Sequence, residues 1–323
     1  IACGQVGVAV VIDPIRDVEP YIRAAEAEGV RITHVTETHI HADFVSGARD
    51  LARRTGATLY LSDEGDANWK YAYAREAGAV LVHDGDEFLV GNVKVRVVHT
   101  PGHTPEHIAF LITDTAAADE PIGIVTGDFV FVGDVGRPDL LERAAKFEGT
   151  MVAAARALFQ SLQKFKQYPD WLQIWPGHGA GSACGKGLSA VPHSTVGYER
   201  RFNWAFAITD EDTFVRAVLE GQPEPPKYFA EMKRINKAGP APFDAARQPP
   251  AVGAVELRWA LANGTPVVDT RVREAFAALH VSGTINIPIN KSFNTWAGSL
   301  LPFNREFLLI VDAGSVEEAV REL

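Results

Sequence analysis

Four segments of this chain each place a histidine or an aspartate directly after a predicted buried strand, and they constrain its fold more than any other feature. The first segment, residues 38–44, has the sequence THIHADF and follows an apolar strand at 32–37. It brings His39, His41 and Asp43 close together in sequence. Imidazole and carboxylate groups suit zinc, iron or manganese, although the same short pattern also occurs in polar surface turns.

Three later segments repeat this arrangement. Each has its own predicted strand: His103 follows 93–98, Asp128 follows 122–125 and His178 follows 172–174. A glycine next to each of these three side chains predicts a turn at the strand end. Together the four segments predict the rim of one open site on a layered α/β scaffold.

These motifs resemble those of the metallo-β-lactamase fold. The matching features are HxHxD at 39–43, His103 in TPGHT, Asp128 in TGD and His178 in PGHG. The resemblance implies an α/β fold, an αββα sandwich, over residues 1–237.

Two longer stretches narrow the resemblance to one branch of that superfamily. Residues 127–140 (GDFVFVGDVGRPDL) and 177–203 (GHGAGSACGKGLSAVPHSTVGYERRFN) are similar to persulfide dioxygenases that are fused to rhodanese domains. The same resemblance implies that Arg137 holds the loop beside the metal. It assigns neither His99 nor His107 to the metal, so we expect both either to support the metal ligands or to be structural.

One position departs from the hydrolytic branches, which carry HxHxDH where this chain has Phe44. A hydrolase with two metals would use His39, His41 and His103 for one ion, and Asp43, the missing histidine, His178 and bridging Asp128 for the other. Phenylalanine has no lone pair to donate, so the second site would lack a nitrogen.

The residues His39, His103 and Asp128 remain intact and form a set of two histidines and one carboxylate. Such a set has open coordination positions and suits non-haem Fe(II) and its chemistry with O2. Resemblance to the persulfide dioxygenases implies the same three residues as iron ligands. The role of His41 stays open from sequence, since it could support a ligand or be a third imidazole ligand.

Other candidate catalytic residues surround this set. We expect His41, Asp43 and His178 to shape the environment of the iron. Cys184 follows His178 on a Gly/Ser-rich loop, and it is either a buried small residue or a thiol that faces the iron. In the second case iron or Lys186 would lower the pKa of the thiol.

Arg200 and Arg201 are candidate substrate-binding residues, because two guanidinium groups could clamp substrate carboxylates. Paired arginines on a helix are also common as solvated surface residues.

Composition limits the remaining possibilities. The length of 323 residues favours two domains, and the net charge of −10 gives no basic patch for nucleic acid. No apolar run approaches membrane-spanning length. Two cysteines make no disulfide framework and fit a reducing cytoplasm, where we expect the protein to act.

The last part of the chain differs from the rest. A Pro-rich linker is predicted at 238–252, and residues 253–323 resemble the opening of a rhodanese domain, with VVDTR at 267–271. Asp312 stands where an active rhodanese has its nucleophilic cysteine, and an aspartate cannot carry sulfane sulfur. We therefore expect a partial, catalytically silent rhodanese-like domain. Whether a rhodanese with a cysteine follows Leu323 stays open.

The resemblance and the ligand set together favour a persulfide dioxygenase with one Fe(II) per chain. It would oxidise a low-molecular-weight thiol persulfide, such as glutathione persulfide, with O2 to sulfite and thiol. The alternative is a dinuclear zinc hydrolase that acts on a thioester. A sulfur-sensing module with a degenerate site is a third, weaker hypothesis. The thiol carrier and the oligomeric state, a homo-oligomer included, stay open.

Overall fold

A computed structural model describes residues 1–143, 149–243, 249–303 and 305–323. The chain divides into two compact units, Ile1–Pro225 with Phe229–Pro242, and Pro226–Tyr228 with Phe243–Leu323. The expected division into 1–237, 238–252 and 253–323 stays a prediction, and residues 244–248 of the expected linker lie outside the described residues.

The first sheet of the first unit is mostly parallel. Its strands, in spatial order, are β1 (Ala2–Cys3), β2 (Val8–Ile12), β3 (Arg31–Thr36), β4 (Thr58–Ser62) and β5 (Val80–Val82). Strand β1 is antiparallel to β2, and each later pair of neighbours is parallel.

The second sheet is mostly antiparallel. Its spatial order is β11 (Ser194–Thr195), β10 (Gln173–Pro176), β9 (Gly123–Gly127), β8 (Ile108–Asp114), β7 (Val93–His99) and β6 (Glu87–Val90). Strands β9 and β10 are parallel, so both end at the same edge. Strand β7 shows the predicted alternation, because Val93, Val95 and Val97 are buried while Arg96 is exposed.

Helices flank both sheets. In the described part of the first unit they are α1 (Glu19–Ala27), α2 (Ala48–Thr55), α3 (Leu140–Arg143), α4 (Met151–Phe165), α5 (Val196–Phe202), α6 (Trp204–Ala207), α7 (Glu211–Leu219) and α8 (Phe229–Ala238), with a 3₁₀ turn at Ala67–Trp69. The helix expected near Leu140–Phe165 is thus described as two helices, and residues 144–148 lie outside the described residues.

Three apolar clusters order these elements into layers. One cluster packs β3 and β4 against α1 and α2, a second packs the inner faces of the two sheets together, and a third packs β8–β10 against α4 and α7. Helix, sheet, sheet and helix therefore follow one another, which confirms the predicted αββα sandwich.

The second unit contains a small parallel sheet of order β13 (Ile285–Asn286), β12 (Val267–Asp269) and β14 (Leu308–Ile310). Its described helices are α9 (Ala254–Ala262), α10 (Arg273–Ala278), α11 (Phe293–Leu300) and α12 (Val316–Glu322), with a 3₁₀ turn at Ala313–Ser315. Val268, Ile287 and Phe293 form its buried core. An extra α/β region therefore follows the sandwich, and its rhodanese-like identity stays a prediction.

Among the described residues, no helix combines the length and the apolar character that crossing a membrane requires.

Candidate metal centre

The four predicted strand ends meet in the first unit. His39 follows β3 of the first sheet, whereas His103, Asp128 and His178 follow β7, β9 and β10 of the second sheet. Gly102, beside His103, has a φ of 146° and approaches the backbone of α4 so closely that a Cβ would lie 2.5 Å from it. Only glycine fits this turn, which carries the histidine toward the other three segments.

His39, His103 and Asp128 form one compact group. All three are buried, and their ligand atoms lie within 4.8 Å of one another. Oδ2 of Asp128 lies 3.6 Å from Nε2 of His103 and 4.0 Å from Nε2 of His39. Metal–ligand bonds of about 2.0–2.2 Å hold neighbouring ligand atoms roughly 3–4 Å apart, so this spacing suits one ion.

Hydrogen bonds set the tautomers of the two histidines. The hydroxyl of Thr38 donates to Asp13, so it accepts from Nδ1–H of His39 at 2.9 Å. Nδ1–H of His103 donates to the carbonyl of Arg137 at 3.1 Å. In both rings Nε2 therefore keeps its lone pair and points at Asp128.

Unpaired buried atoms and electrostatics also fit a cation. Within the described residues, Nε2 of His39 and Oδ2 of Asp128 are buried without a hydrogen-bond partner. Burial lowers the pKa of His39 well below its usual value and that of His103 to about 3, so both imidazoles are neutral. Burial also raises the pKa of Asp128. A divalent metal ion would satisfy these orphaned atoms, and this group can hold one.

Asp43, His178 and Cys184 form a second group of possible ligands, also within 4.8 Å of one another. Nε2 of His178 lies 3.1 Å from Oδ2 of Asp43 and 3.4 Å from Oδ1 of Asp128. Asp128 therefore stands between the two groups, with one carboxylate oxygen toward each. The negative charges of Asp128 and Asp43 raise the pKa of His178 to about 9 against the effect of burial.

The protein groups around Cys184 favour its neutral thiol. Burial, followed by the nearby aspartates, raises the pKa of its thiol well above the usual value, so the protein alone does not favour a thiolate. Lys186 binds other groups, because its Nζ donates to the carbonyls of Ala217 and Glu220 and lies over the ring of Trp204.

His41 lies outside both groups. Its Nε2 is 3.0 Å from Oδ1 of Asp13, and its Nδ1 is 3.8 Å from Oδ1 of Asp43. Burial would lower the pKa of His41, but the charge and hydrogen bond of Asp13 raise it to about 10. The ring is thus a cation that is hydrogen-bonded to Asp13, while its Nδ1 is buried without a hydrogen-bond partner among the described residues.

Comparison with known proteins identifies the family. Residues 5–178 match the family model of the Metallo-beta-lactamase superfamily. The chain belongs to this superfamily.

Two solved structures of this fold are similar over most of the chain. A metallo-β-lactamase from Staphylococcus aureus subsp. aureus COL is 46% identical, with a TM-score of 0.90, covering 99% of this chain and 89% of that one. ETHE1 from Myxococcus xanthus is 26% identical, with a TM-score of 0.59, covering 74% of this chain and 91% of that one.

Curated superfamily members are similar over shorter parts. A β-lactamase hydrolase-like protein of Xylella fastidiosa (strain 9a5c) is 30% identical over 71% of this chain, and a hydroxyacylglutathione hydrolase of Rhodospirillum rubrum is 32% identical over 55% of it. The chain spans only 54% and 60% of the lengths of these two relatives.

Phe44 occupies the position at which the superfamily's hydrolytic members carry the last histidine of HxHxDH. Its ring lies 4.3 Å from the ring of His41, measured between centroids. Because phenylalanine offers no nitrogen, the second group has no imidazole ligand from position 44. Sequence reasoning did not foresee that the thiol of Cys184 would come close enough to Asp43 and His178 to be a third donor.

Arg137 joins the turn that carries His103 to the loop that carries Cys184. Its guanidinium is fully buried, pairs with Asp139 at 2.7 Å, and donates to the carbonyls of Ala183 and Pro223. Its backbone N–H donates to the carbonyl of Cys184. The carbonyl of Arg137 also accepts from His103. Arg137 therefore connects His103 of the first group to Cys184 of the second group.

The other histidines of the 99–107 segment bind protein groups. Nε2 of His107 accepts from the backbone N–H of Asp128 at 3.1 Å, and Nε2 of His99 bonds the carbonyl of Pro105 at 2.8 Å. His107 thus supports the strand end that carries Asp128.

The two arginines expected to bind substrate do not join the cluster. Arg200 bonds Asp170 and the carbonyls of Lys166 and Tyr168, which precede β10, whereas His178 follows β10. Its guanidinium is therefore bonded at the opposite end of that strand, and its role in substrate binding stays a prediction. Arg201 is exposed on α5.

Several residues at the site were missed from sequence. Asp13 follows β2 with a φ of 52° and accepts from Thr38 and His41, so the strand-end rule could have found it. Glu106 accepts from the backbone of the 38–44 turn at 2.9 Å, and its own motif holds His103. Asn236, on α8, has no signal in sequence because its partners are far away along the chain.

Proposed function

We propose that this chain is a non-haem Fe(II)-dependent persulfide dioxygenase that acts in the cytoplasm. Its substrate would be a low-molecular-weight thiol persulfide such as glutathione persulfide. The observation that carries the proposal is the group of His39, His103 and Asp128, whose two neutral imidazoles and one carboxylate converge with unpaired atoms. Such a set leaves coordination positions for a persulfide sulfur and for O2. The likeness to ETHE1, a persulfide dioxygenase, over 74% of the chain supports the same activity.

The proposed reaction balances without a further reductant. A persulfide anion, O2 and water give a thiol, sulfite and a proton, so the outer sulfur is oxidised, O2 is reduced and the S–S bond breaks. Bound iron would supply the electron exchange that lets O2 react with the paired electrons of sulfur.

The chain's own residues hold and surround the reacting atoms. His39, His103 and Asp128 would hold the iron, and Thr38 and the carbonyl of Arg137 keep the two imidazoles in the required tautomer. His178, with a pKa of about 9, holds a proton at Nε2 between Asp43 and Asp128 at neutral pH.

Metal content and oxygen uptake test the proposal. Protein purified without added zinc should carry about one iron per chain. Oxygen uptake should depend on glutathione persulfide and should produce sulfite, with little hydrolysis of thioesters or β-lactams. Two tightly bound zinc ions per chain, together with thioester turnover under anaerobic conditions, would contradict it.

A specific observation favours a second candidate, a dinuclear zinc hydrolase that acts on a thioester. Asp43, His178 and Cys184 form a second possible ligand group, and Asp128 stands between the groups where a bridging ligand would lie. The 32% identity to a hydroxyacylglutathione hydrolase agrees with this candidate. The same two assays separate the hypotheses, because only the hydrolase works without O2.

We propose further that residues 253–323 are rhodanese-like and lack sulfurtransferase activity. The parallel order of β13, β12 and β14 fits the opening of a rhodanese domain. Asp312 follows β14, and residues 253–323 contain no cysteine. The chain should therefore show no thiosulfate:cyanide sulfurtransferase activity, and measurable activity that survives removal of Cys3 and Cys184 would refute this assignment.

A further inference from the structure

The amide of Asn236 on α8 makes three hydrogen bonds to residues 41–46, in the turn between β3 and α2. Its Nδ2 donates to the carbonyl of His41 at 2.8 Å and to that of Phe44 at 2.7 Å. Its Oδ1 accepts from the backbone N–H of Ser46 at 2.8 Å. The side chain is buried, and both N–H donors are used.

These bonds give partners to backbone groups that lie outside regular secondary structure. Strand β3 ends at Thr36 and α2 begins at Ala48, so the backbone between them is outside any regular ladder or helix. Buried backbone groups in such a segment need partners from elsewhere, and an unpaired one costs stability. In the first part of the turn the backbone N–H of Ile40 donates to Glu106, and in the second part Asn236 provides the partners.

The two carbonyls that Asn236 binds stand on either side of Asp43 in the chain. Asp43 in turn places Oδ2 3.1 Å from Nε2 of His178. We propose that Asn236 is a positioning residue, which fixes residues 41–46 and thereby sets Asp43 against His178. Helix α8 is then part of the active site, although the family match ends at residue 178.

Only a primary amide meets all three partners. Asn236→Asp keeps the shape and the acceptor for Ser46, but it places a carboxylate oxygen opposite two carbonyl oxygens. Asn236→Ser shortens the side chain and keeps a single donor. A residue that merely filled space would tolerate the aspartate, whereas a residue that fixes the turn through donated hydrogen bonds would not.

Hydrogen exchange in the full chain tests this without reference to the reaction. In Asn236→Asp, amides within residues 41–46 should exchange at least about tenfold faster than in the native chain. A crystal structure of this variant should show the Asp43–His178 contact lengthened from 3.1 Å. Arg234→Ala is the matched control, since Arg234 lies on the same helix and pairs with Glu231 on its exposed face. Its exchange in 41–46 should equal that of the native chain.

Turnover gives a second readout. If the proposed oxidation is the reaction, Asn236→Asp should lower kcat about 10- to 100-fold, with less change in KM and with iron retained by the first group. Should the native chain show no persulfide oxidation, exchange and crystallography still decide the role of Asn236. If the aspartate variant fails to fold, Asn236→Ser is measured in the same way. Native exchange rates in 41–46 in a folded variant would overturn the proposal.

Discussion

Gly177 and Gly179 flank His178, and replacing each by alanine should have opposite outcomes. A Cβ on Gly177 would lie 2.8 Å from Oδ1 of Asp128, whereas one on Gly179 would meet its nearest atom, the carbonyl oxygen of Ser189, at 3.6 Å. Ordinary contacts begin at 3.4 Å, so Gly177→Ala must displace the Asp128 carboxylate or its own loop by about 0.6 Å. Metal–ligand distances tolerate only about 0.2 Å, so this shift is incompatible with an undisturbed site.

The magnitude follows from what Asp128 does. Perturbing a group that only supports a ligand costs roughly 10- to 100-fold in metal affinity, so displacing the ligand itself should cost at least about 100-fold. Overpacking should lower the free energy of unfolding by only about 1–3 kcal/mol, which leaves the variant folded. Gly179→Ala should stay within about 0.5 kcal/mol of the native chain and keep its iron.

Iron content after gel filtration, iron affinity by chelator competition, and thermal unfolding measure these effects. The expected result is a folded Gly177→Ala variant with weak iron binding beside a Gly179→Ala variant with native iron binding. Equal iron affinity in the two variants would refute the expectation that the Asp128 carboxylate, rather than the loop of Gly177, moves. A loss of iron in both would show that the loop, and not the contact with Asp128, is sensitive.

Four further substitutions separate the roles of the site residues. His39→Ala should lose both iron and persulfide-dependent oxygen uptake, and metal analysis that finds native iron content would contradict its role as a ligand. His178→Ala should keep most of the iron and slow turnover, whereas in a two-zinc hydrolase it would lose one metal per chain. Cys184→Ser should cut turnover at unchanged iron content, and unchanged kinetics would show that the buried thiol only fills space. Arg137→Met leaves Asp139 buried with Arg143 as its one remaining ionic partner among the described residues, and should lower the free energy of unfolding by up to about 3–5 kcal/mol in denaturant titrations.

The sandwich could be predicted because the signals that define it are local. Strand β7 alternates buried and exposed residues, and β9 is a short apolar run that ends in glycine. Each of His39, His103, Asp128 and His178 stands next to its own strand in sequence. A rule about strand ends therefore finds all four without knowledge of the fold, and the structure brings all four together.

The supporting residues could not be predicted in the same way. Asn236 reaches partners 190 or more residues away, and no periodicity or turn pattern encodes such a contact. The carbonyls bound by Arg200 come from the end of α4 and the loop after it. The sequence of the helix that carries Arg200 therefore does not predict these partners. Cys184 could be assigned to the loop of His178, but the sign of its pKa shift depends on burial and on two aspartates from other strands.

The two ligand groups differ in the protons that a metal must displace. In the first group both imidazoles are already neutral, so a cation can bind to lone pairs that are free at neutral pH. In the second group His178, with a pKa of about 9, holds a proton on the nitrogen that faces Asp43 and Asp128, and burial keeps the Cys184 thiol protonated. Filling that group costs the release of both protons, and metal affinity falls accordingly. A single bound ion at neutral pH is therefore expected even though sulfur replaces the nitrogen lost at Phe44.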